Sequence, residues 1–154
     1  MTRHSRAILK PRCLPGFFVS AERSVIYSLL VLSSPASGSG AQTAAAFAGC
    51  ALQRGHSIRR VFFLDGGTCA GAATAVFPQD EVDRITPWVE LKEQHAVELI
   101  LCISSALKRG MLDESEARRH EKPASTVHPA FTISGLGQLV DACANSDRLI
   151  TFGG

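Results

Sequence analysis

The sequence predicts a single-domain, three-layer α/β fold, with a mostly parallel sheet and helices on both of its faces. A chain of 154 residues, 45% of them hydrophobic, is the usual size of one domain with its own core. Val25–Leu32 is a nearly continuous apolar run, typical of a strand covered on both faces, and Ile58–Leu64 and Val97–Ile103 are further strand candidates. Segments with helical spacing separate these runs, and such alternation implies right-handed crossovers between parallel strands.

The first strand, Val25–Leu32, is followed by the small-residue loop Ser33–Gly40. A helix is predicted next, because apolar residues recur at positions i, i+3, i+4, i+7 and i+8 along one stripe. These residues are Ala44, Phe47, Ala48, Ala51 and Leu52. We expect Gly55 to end this helix in the left-handed conformation that glycine adopts without steric cost.

The second and third strands enclose a loop and a second helix. Ile58–Leu64 is the second strand, and the small-residue loop Asp65–Pro78 follows it. Asp80–His95 is predicted as a helix, in which the terminal histidine complements the negative end of the helix dipole. The residues of this helix that we expect to face inward are Val82, Ile85 and Val89. Val97–Ile103 is the third strand.

The last third of the chain contains shorter elements. Ser104–Arg109 is predicted as a helical turn ended by Gly110. Asp113 and Glu116 have the spacing of a capping box, which predicts a brief helix through Arg119. The remaining elements are the loop Lys122–Pro129, a short strand Phe131–Ile133, a helix carrying Leu136, Leu139, Val140 and Cys143, and a final strand Arg148–Phe152.

Composition excludes several classes of protein. The 16 Lys and Arg residues nearly balance the 14 Asp and Glu residues. Direct nucleic-acid binding needs a clustered basic face, so we expect no direct contact with nucleic acid. The longest apolar run is far shorter than the roughly 20 residues of a membrane helix, so no direct membrane contact is expected. The five cysteines are odd in number and contain no C-x-x-C pair, which argues against a disulfide scaffold or a zinc ribbon. The histidines show no metal spacing, so we expect no metal and no cofactor.

The amino terminus imitates a secretory signal peptide. Residues 1–23 carry five Lys and Arg residues against one acid, and an apolar run and the small-residue stretch Ser33–Ala41 follow. Cleavage near Ala41, however, would delete the first predicted strand. We therefore expect a cytoplasmic protein, in keeping with unpaired cysteines in a reducing compartment, with a disordered extension over residues 1–23 and the folded domain over residues 24–154.

Cys102 is the predicted reactive residue. Reactive groups in open parallel sheets gather at the carboxyl ends of the strands, and Cys102 lies there, just before the turn Ser104–Arg109. A thiol in this place faces the amide N–H groups that open a helical turn, and Lys108 and Arg109 follow closely. Both features favour the thiolate, which attacks sulfur, over a thiol with an ordinary pKa of about 8.5. The alternative is that Cys102 merely packs in its strand.

The other four cysteines are weaker candidates. Cys69, in the loop after the second strand, is either a resolving cysteine or an incidental one. We favour the incidental interpretation, because the sequence shows no charged or helix-end partner for it. Cys50 and Cys143 lie on or beside the apolar stripes of their helices and are expected in the core. Cys13 falls in the extension.

The loop Ser33–Gly40 has the small residues of a phosphate-binding turn. It lacks the lysine of the G-x-x-x-x-G-K-[ST] motif, and it does not match G-x-G-x-x-G with a downstream ribose-binding acid. We therefore favour a flexible rim of the site over a nucleotide cradle. A flavodoxin-like domain that binds a nucleotide or another small ligand is a third-ranked hypothesis.

Several longer motifs resemble a known family. Residues 101–110, LCISSALKRG, and residues 112–117, LDESEA, are similar to the cysteine segment of the DsrE/TusD family of sulfur-relay proteins. Residues 131–137, FTISGLG, resemble the FTLSGLG stretch of that family. The stretches around residues 55–63 and 88–95 also fit, so the resemblance covers about residues 24–152.

The resemblance implies a small DsrE/flavodoxin-like α/β fold and one catalytic cysteine that receives a persulfide sulfur and passes it on. Carried to this chain, that cysteine is Cys102. We name Ser104, Ser105, Lys108 and Arg109 as supporting residues, and we expect Lys108, Arg109 and the backbone amides after Cys102 to stabilise the anionic sulfur. The resemblance also implies a heterohexamer with TusB- and TusC-like subunits, a TusA-like sulfur donor and a TusE-like acceptor for 2-thiouridine formation in tRNA. DsrE relatives work instead in sulfur oxidation. The loop Asp65–Pro78 and the extension depart from the family pattern, which leaves partners and direction open.

Our leading hypothesis is a persulfide-relay sulfurtransferase. The Cys102 thiolate attacks the outer sulfur of a donor persulfide and then surrenders that sulfur to an acceptor cysteine. The hypothesis requires a thiol that ionises readily and that a carrier protein can reach. The alternatives are a DsrE-type relay protein of sulfur oxidation and a non-catalytic TusB/TusC-like assembly subunit.

Overall fold

One five-stranded sheet organises the structure. The computed structural model describes residues 23–154, so the extension predicted over residues 1–23 lies outside the described residues except for its last position. The strands are β1 (Ile26–Val31), β2 (Ser57–Phe63), β3 (Glu98–Cys102), β4 (Thr132–Ser134) and β5 (Arg148–Phe152). All four neighbouring pairs are parallel, in the order β4-β3-β2-β1-β5. The predicted α/β fold with a parallel sheet is confirmed.

Five α-helices connect these strands: α1 (Gly40–Gln53), α2 (Thr86–His95), α3 (Ile103–Leu107), α4 (Glu114–Arg119) and α5 (Gly137–Ala144). Their predicted end signals are present in the structure. Gly55 follows α1 with a φ of 81°, and the Asp113 carboxylate accepts a hydrogen bond from the Glu116 amide at 2.9 Å, where α4 begins. None of the helices within residues 23–154 combines the length and the hydropathy that a membrane span needs.

The segment after β2 is more ordered than its composition suggests. Asp65–Pro78 was predicted as a loop, but it begins with a 3-10 helix, Asp65–Gly71, in which four small residues are buried. Small residues permit this because the backbone lies against β1. A Cβ atom on Gly67 would overlap the carbonyl group of Val31. The loop prediction is therefore wrong for the first half of this segment.

The second helix begins later than predicted, at Thr86 rather than at Asp80. The Asp83 carboxylate accepts hydrogen bonds from the amides of Ile85 at 2.7 Å and Thr86 at 3.2 Å, and these satisfy the first free N–H groups of the helix. Val82 consequently lies outside α2 and is 70% exposed. The prediction that Val82 faces the core is wrong, whereas Ile85 is buried.

Helices cover both faces of the sheet, as predicted, but unequally. On the α1/α2 face, which lies under α1 and α2, the buried strand residues are Leu29, Val31, Ile58, Val61, Phe63, Leu99 and Leu101. On the α5 face, the opposite one, the buried cluster consists of Phe62, Ile100 and Cys102, with Leu30, Leu64 and Leu139 packed against it. Of the six residues in this second group, only Leu139 comes from a helix, so its covering layer is thin.

Candidate active site

Three segments follow β1, β2 and β3 at the carboxyl edge of the sheet. Because β1, β2 and β3 are parallel neighbours, the segments that follow them leave the sheet at one edge. These segments are Ser33–Gly40, the 3-10 helix, and Cys102–Ser105. The 3-10 helix contacts α3 directly. Cys102 is the last residue of β3 and is paired with Ser134 of β4.

Cys102 occupies the N-cap of α3, and two serines in the first turn act on its thiol. Its Sγ atom lies 3.3 Å from the Oγ atom of Ser104. Burial is the largest single influence on the pKa of Cys102 and raises it, but the hydroxyls and backbone amides of Ser104 and Ser105 together outweigh burial. The pKa of Cys102 therefore lies below its ordinary value. Neither amide meets the geometry of a standard cap hydrogen bond, so the Ser104 hydroxyl is the principal partner.

The basic pair after α3 does not reach the sulfur. Lys108 and Arg109 lie at the opposite end of α3 from Cys102. Because a helix rises 1.5 Å per residue, the backbone of Lys108 is about 9 Å from that of Cys102 along the helix axis. The Arg109 guanidinium donates a hydrogen bond to the Ser105 carbonyl at 3.0 Å. The charge of neither residue contributes to the lowered pKa of Cys102. Ser104 and Ser105 thus act on the Cys102 thiol in this structure, and the supporting roles of all four residues stay predictions.

The Cys102 thiol is buried in the isolated chain. The residue is 1% exposed and packs within the apolar cluster of the α5 face. The requirement that a carrier protein reach this thiol is therefore not met in this conformation. Two neighbours of this cluster reach the surface, however: Ser104, whose hydroxyl lies beside the sulfur, is exposed, and Leu139 of α5 is only partly buried. The sulfur lies just under the carboxyl edge of the sheet rather than in the centre of the molecule.

A buried arginine that the sequence analysis missed lies on the same face. The Arg60 side chain is 8% exposed, and its Nε atom donates a hydrogen bond to Glu98 of β3 at 2.7 Å. Its Nη1 atom donates to the Gln138 carbonyl and to the Asp141 carboxylate of α5, both at 2.8 Å. Arg60 therefore connects α5 to the sheet. The available signal was an arginine two residues before Phe62 in an apolar strand, because buried charges are almost always paired.

The other described cysteines are not arranged as predicted. Cys50 and Cys143 are both exposed, so the prediction that they lie in the core is wrong. The physical reason is that each helix packs with a face that does not include its cysteine. α1 turns only alanines fully inward, and α5 buries only Ala142. Cys69 is partly exposed on the 3-10 helix, and its interpretation as incidental or resolving stays open.

The loop Ser33–Gly40 does not form a phosphate cradle. A Cβ atom on Gly40, at the start of α1, would lie 2.7 Å from the Ser33 Cβ and 2.8 Å from the Gly153 carbonyl oxygen. The space beside Gly40 is therefore filled by Ser33 and Gly153. The Arg84 guanidinium donates to the Pro35 carbonyl at 2.5 Å and holds the loop. Nothing in this loop favours nucleotide binding.

Cys102 does not line either of two cavities that are large enough for a small ligand. One, of about 420 Å³, lies between residues 72–77, α2 and His128. The second, of about 370 Å³, shares His128 and is bounded by α4 and Phe131. Cys102 therefore lies outside both cavities, beneath the surface at the carboxyl edge of the sheet.

Comparison with known proteins agrees with the motifs of this site. The chain is 40% identical over 124 residues to the sulfurtransferase TusD of Serratia proteamaculans, an alignment that covers 80% of this chain and 96% of that protein. It is 38% identical over 125 residues to a sulfurtransferase TusD homolog of Pseudomonas aeruginosa, covering 81% and 95%. DsrE of Allochromatium vinosum is 40% identical over 127 residues, covering 82% and 98%.

The fold is also found among solved structures. The crystal structure of the YchN protein from E. coli superimposes with a TM-score of 0.59 at 16% identity, over 84% of this chain and 100% of that chain. A sequence model of the DsrE/DsrF-like family matches residues 26–152, which include every strand and helix described above. The protein therefore belongs to the DsrE/DsrF-like family.

Proposed function

We propose that this protein is a sulfurtransferase that carries sulfur as a persulfide on Cys102. The observation that carries the proposal is the lowered pKa of a cysteine placed at the carboxyl edge of the sheet, next to the Ser104 hydroxyl. A readily formed thiolate is the species that attacks a sulfur–sulfur bond. Relatives that are 38% and 40% identical bear the name sulfurtransferase, which supports the same activity here.

The transfer proceeds in two displacements of the same kind. The Cys102 thiolate attacks the outer sulfur of a donor persulfide, a new S–S bond forms on Cys102, and the donor departs as a thiolate. An acceptor thiolate then attacks the outer sulfur of the Cys102 persulfide, and Cys102 departs as a thiolate. Electrons balance, because each step breaks one S–S bond and forms another. The departing anion in the second step is the Cys102 thiolate. The hydroxyls and amides of Ser104 and Ser105 stabilise it, because the same groups lower the pKa of Cys102.

For the partners, we propose the sulfur-relay set that the family resemblance implies. The protein assembles with TusB- and TusC-like subunits in the cytoplasm, takes sulfur from a TusA-like carrier, and delivers it to a TusE-like acceptor for 2-thiouridine formation in tRNA. The similarity to two TusD proteins supports this pathway. A relay in sulfur oxidation is the second candidate, because DsrE of Allochromatium vinosum is equally similar. Transfer to a TusE-like acceptor in the reconstituted relay distinguishes tRNA thiolation from sulfur oxidation.

The test is persulfide formation on the full chain. After incubation with a persulfidated TusA-like protein, mass spectrometry should show an adduct of about 32 Da on the peptide that contains Cys102. Cys102→Ser should abolish the adduct, and the matched variant Cys143→Ser, which removes an exposed cysteine, should retain it. An adduct that persists in Cys102→Ser and disappears in Cys69→Ser would move the site to the 3-10 helix. Complementation of tRNA thiolation by Cys102→Ser would instead support a non-catalytic subunit.

A further inference from the structure

The helix α5, whose Leu139 packs against the buried cluster that contains Cys102, is weakly attached to the rest of the molecule. α5 is eight residues long, buries only Ala142 completely, and has no side-chain N-cap hydrogen bond. The connection before it is open, because a Cβ atom on Gly135 or Gly137 would have no neighbour within 4 Å. β4, which precedes this connection, is a three-residue strand at the edge of the sheet. Elements with few buried apolar contacts are those that open most readily.

Arg60 makes the buried polar attachment of this helix, and Arg59 adds an exposed ion pair to Asp141. Its guanidinium donates to Gln138 and Asp141, which lie in the first and second turns of α5, and the same group pairs with Glu98 of β3. Gln138 is adjacent to Leu139, the α5 residue that packs against the Cys102 cluster. Arg60 is itself too far along β2 to be the hydrogen-bond partner of the thiol, which is Ser104.

We infer that α5 is a lid over the Cys102 thiol and that Arg60 is the positioning residue that holds this lid on the sheet. The lid explains how a thiol that is 1% exposed can serve a carrier protein: movement of Leu139 with α5 uncovers the sulfur while Ser104, on α3, stays beside it. The inference deepens the proposed function and rests on it for its biological meaning. The test of the lid uses an alkylating reagent and no persulfide, so the lid inference and the proposed function can each fail without the other.

The experiment measures alkylation of each cysteine in the full reduced chain. Iodoacetamide is added at fixed pH, and peptide mass spectrometry gives separate rates for Cys102 and for the exposed Cys50, which serves as an internal reference. In the wild-type protein Cys102 should react more slowly than Cys50, because its thiol is covered. Arg60→Gln should raise the ratio of the Cys102 rate to the Cys50 rate by at least about tenfold, the change expected for the loss of a charge-assisted hydrogen bond. Arg60→Lys should restore part of the protection.

The chain offers a matched control in the neighbouring arginine. Arg59 pairs with the same Asp141 carboxylate at 3.0 Å, but its side chain is 39% exposed. Arg59→Gln should therefore change the rate ratio by less than about twofold, as expected for an exposed ion pair. Hydrogen exchange supplies a second measurement: Arg60→Gln should accelerate exchange of the α5 amides and leave the β2 amides protected.

Two outcomes would overturn the inference. One is a folded Arg60→Gln protein in which the ratio of the Cys102 rate to the Cys50 rate is unchanged. The other is a wild-type Cys102 that reacts as fast as Cys50. If Arg60→Gln fails to fold, Leu139→Ala replaces it, because that variant thins the lid and leaves the Arg60 contacts in place. An unchanged rate ratio in Leu139→Ala would then overturn the inference in the same way.

Discussion

Helix and sheet are joined by different forces on the two faces of this molecule. On the α1/α2 face, the Phe63 ring packs edge-on against Trp88 at 5.0 Å between ring centres and against Phe131 at 5.5 Å. All three residues are buried, and α1 adds a row of buried alanines. On the α5 face, a short helix with one fully buried residue is attached through the guanidinium of Arg60.

This difference explains where a reactive thiol can be placed. Packing of large apolar groups is non-directional and is lost only when the whole face separates, so the α1/α2 face serves stability. Hydrogen bonds to a charged group are each worth about 1.5–3 kcal/mol, and the carboxylates of Glu98 and Asp141, 48% and 40% exposed, are within reach of water that can replace the Arg60 guanidinium. A face attached in this second way can open locally while the protein stays folded. Cys102 lies on that face.

The sharpest comparison between the faces uses two adjacent residues. Phe62 and Phe63 are both fully buried, and they point to opposite faces of β2. Phe63→Ala should lower the free energy of unfolding by about 3–5 kcal/mol, because the aromatic cluster around it cannot collapse into the cavity. Urea denaturation measures this change. The alkylation rate of Cys102 relative to Cys50 should stay the same while this variant is folded.

Phe62→Ala should show the opposite pattern. Its cost should fall at or below about 3 kcal/mol, because α5 can move toward the sheet and fill part of the space. Cys102 packs in the same cluster as Phe62, so its relative alkylation rate should rise. Equal destabilisation and equal Cys102 reactivity in the two variants would contradict the distinction between the faces.

The sequence predicts the α1/α2 face better than the α5 face for a physical reason. A strand that is buried on both faces is rich in apolar residues wherever it occurs, so β1, β2 and β3 are visible in the chain itself. Helical spacing shows that residues share a stripe, but it does not show whether a partner covers that stripe. Leu136 and Val140 have core spacing and are 54% and 67% exposed, because no described element packs on the outside of α5.

The candidate site divides in the same way between local and distant contacts. The position of Cys102 at a strand end, and the serines two and three residues later, depend only on neighbours in the chain, and they were predicted. Burial of the thiol depends on packing with Phe62 and Leu139, each about 40 positions from Cys102. The attachment of α5 depends on Arg60, which is about 80 positions from Gln138 and Asp141. No local pattern specifies such pairs, so the accessible thiol was predicted wrongly and Arg60 was missed.

A second prediction concerns the thiol and not its cover. Ser104→Ala removes the hydroxyl that lies 3.3 Å from the Cys102 sulfur, so the pKa of Cys102 should rise. Loss of one hydrogen bond should slow alkylation of Cys102 at pH 7 by about fivefold. Both residues belong to the β3–α3 junction, so the effect should persist when Arg60→Gln opens the lid. The measurement is the pH dependence of the Cys102 alkylation rate, whose midpoint should move upward.

The matched control for this variant is Ser115→Ala, which removes an exposed hydroxyl from α4. It should leave the pH profile of Cys102 unchanged. A Ser104→Ala profile identical to that of the wild-type protein would show that the serine does not stabilise the thiolate. The proposed function would then lose the observation that carries it.

The smallest expected effect comes from the outer end of the Arg60 network. Arg59, as the largest cause, and Arg60 hold the pKa of the Asp141 carboxyl below its ordinary value. A carboxyl whose pKa is lower in the folded state stabilises the protein above its unfolded pKa of about 3.9, and this contribution is lost as pH falls through the folded pKa. Asp141→Asn should therefore be less stable than the wild-type protein at pH 7 and equally stable at the lowest pH where both fold.

Denaturant titrations from pH 7 downward measure the difference in the free energy of unfolding between the two proteins. In the Arg59→Gln background, the midpoint of the pH dependence of this difference should move to higher pH. A difference that stays constant down to pH 2 would show that the charge of Asp141 does not help to hold α5, and that Arg60 anchors the helix through the Gln138 carbonyl alone.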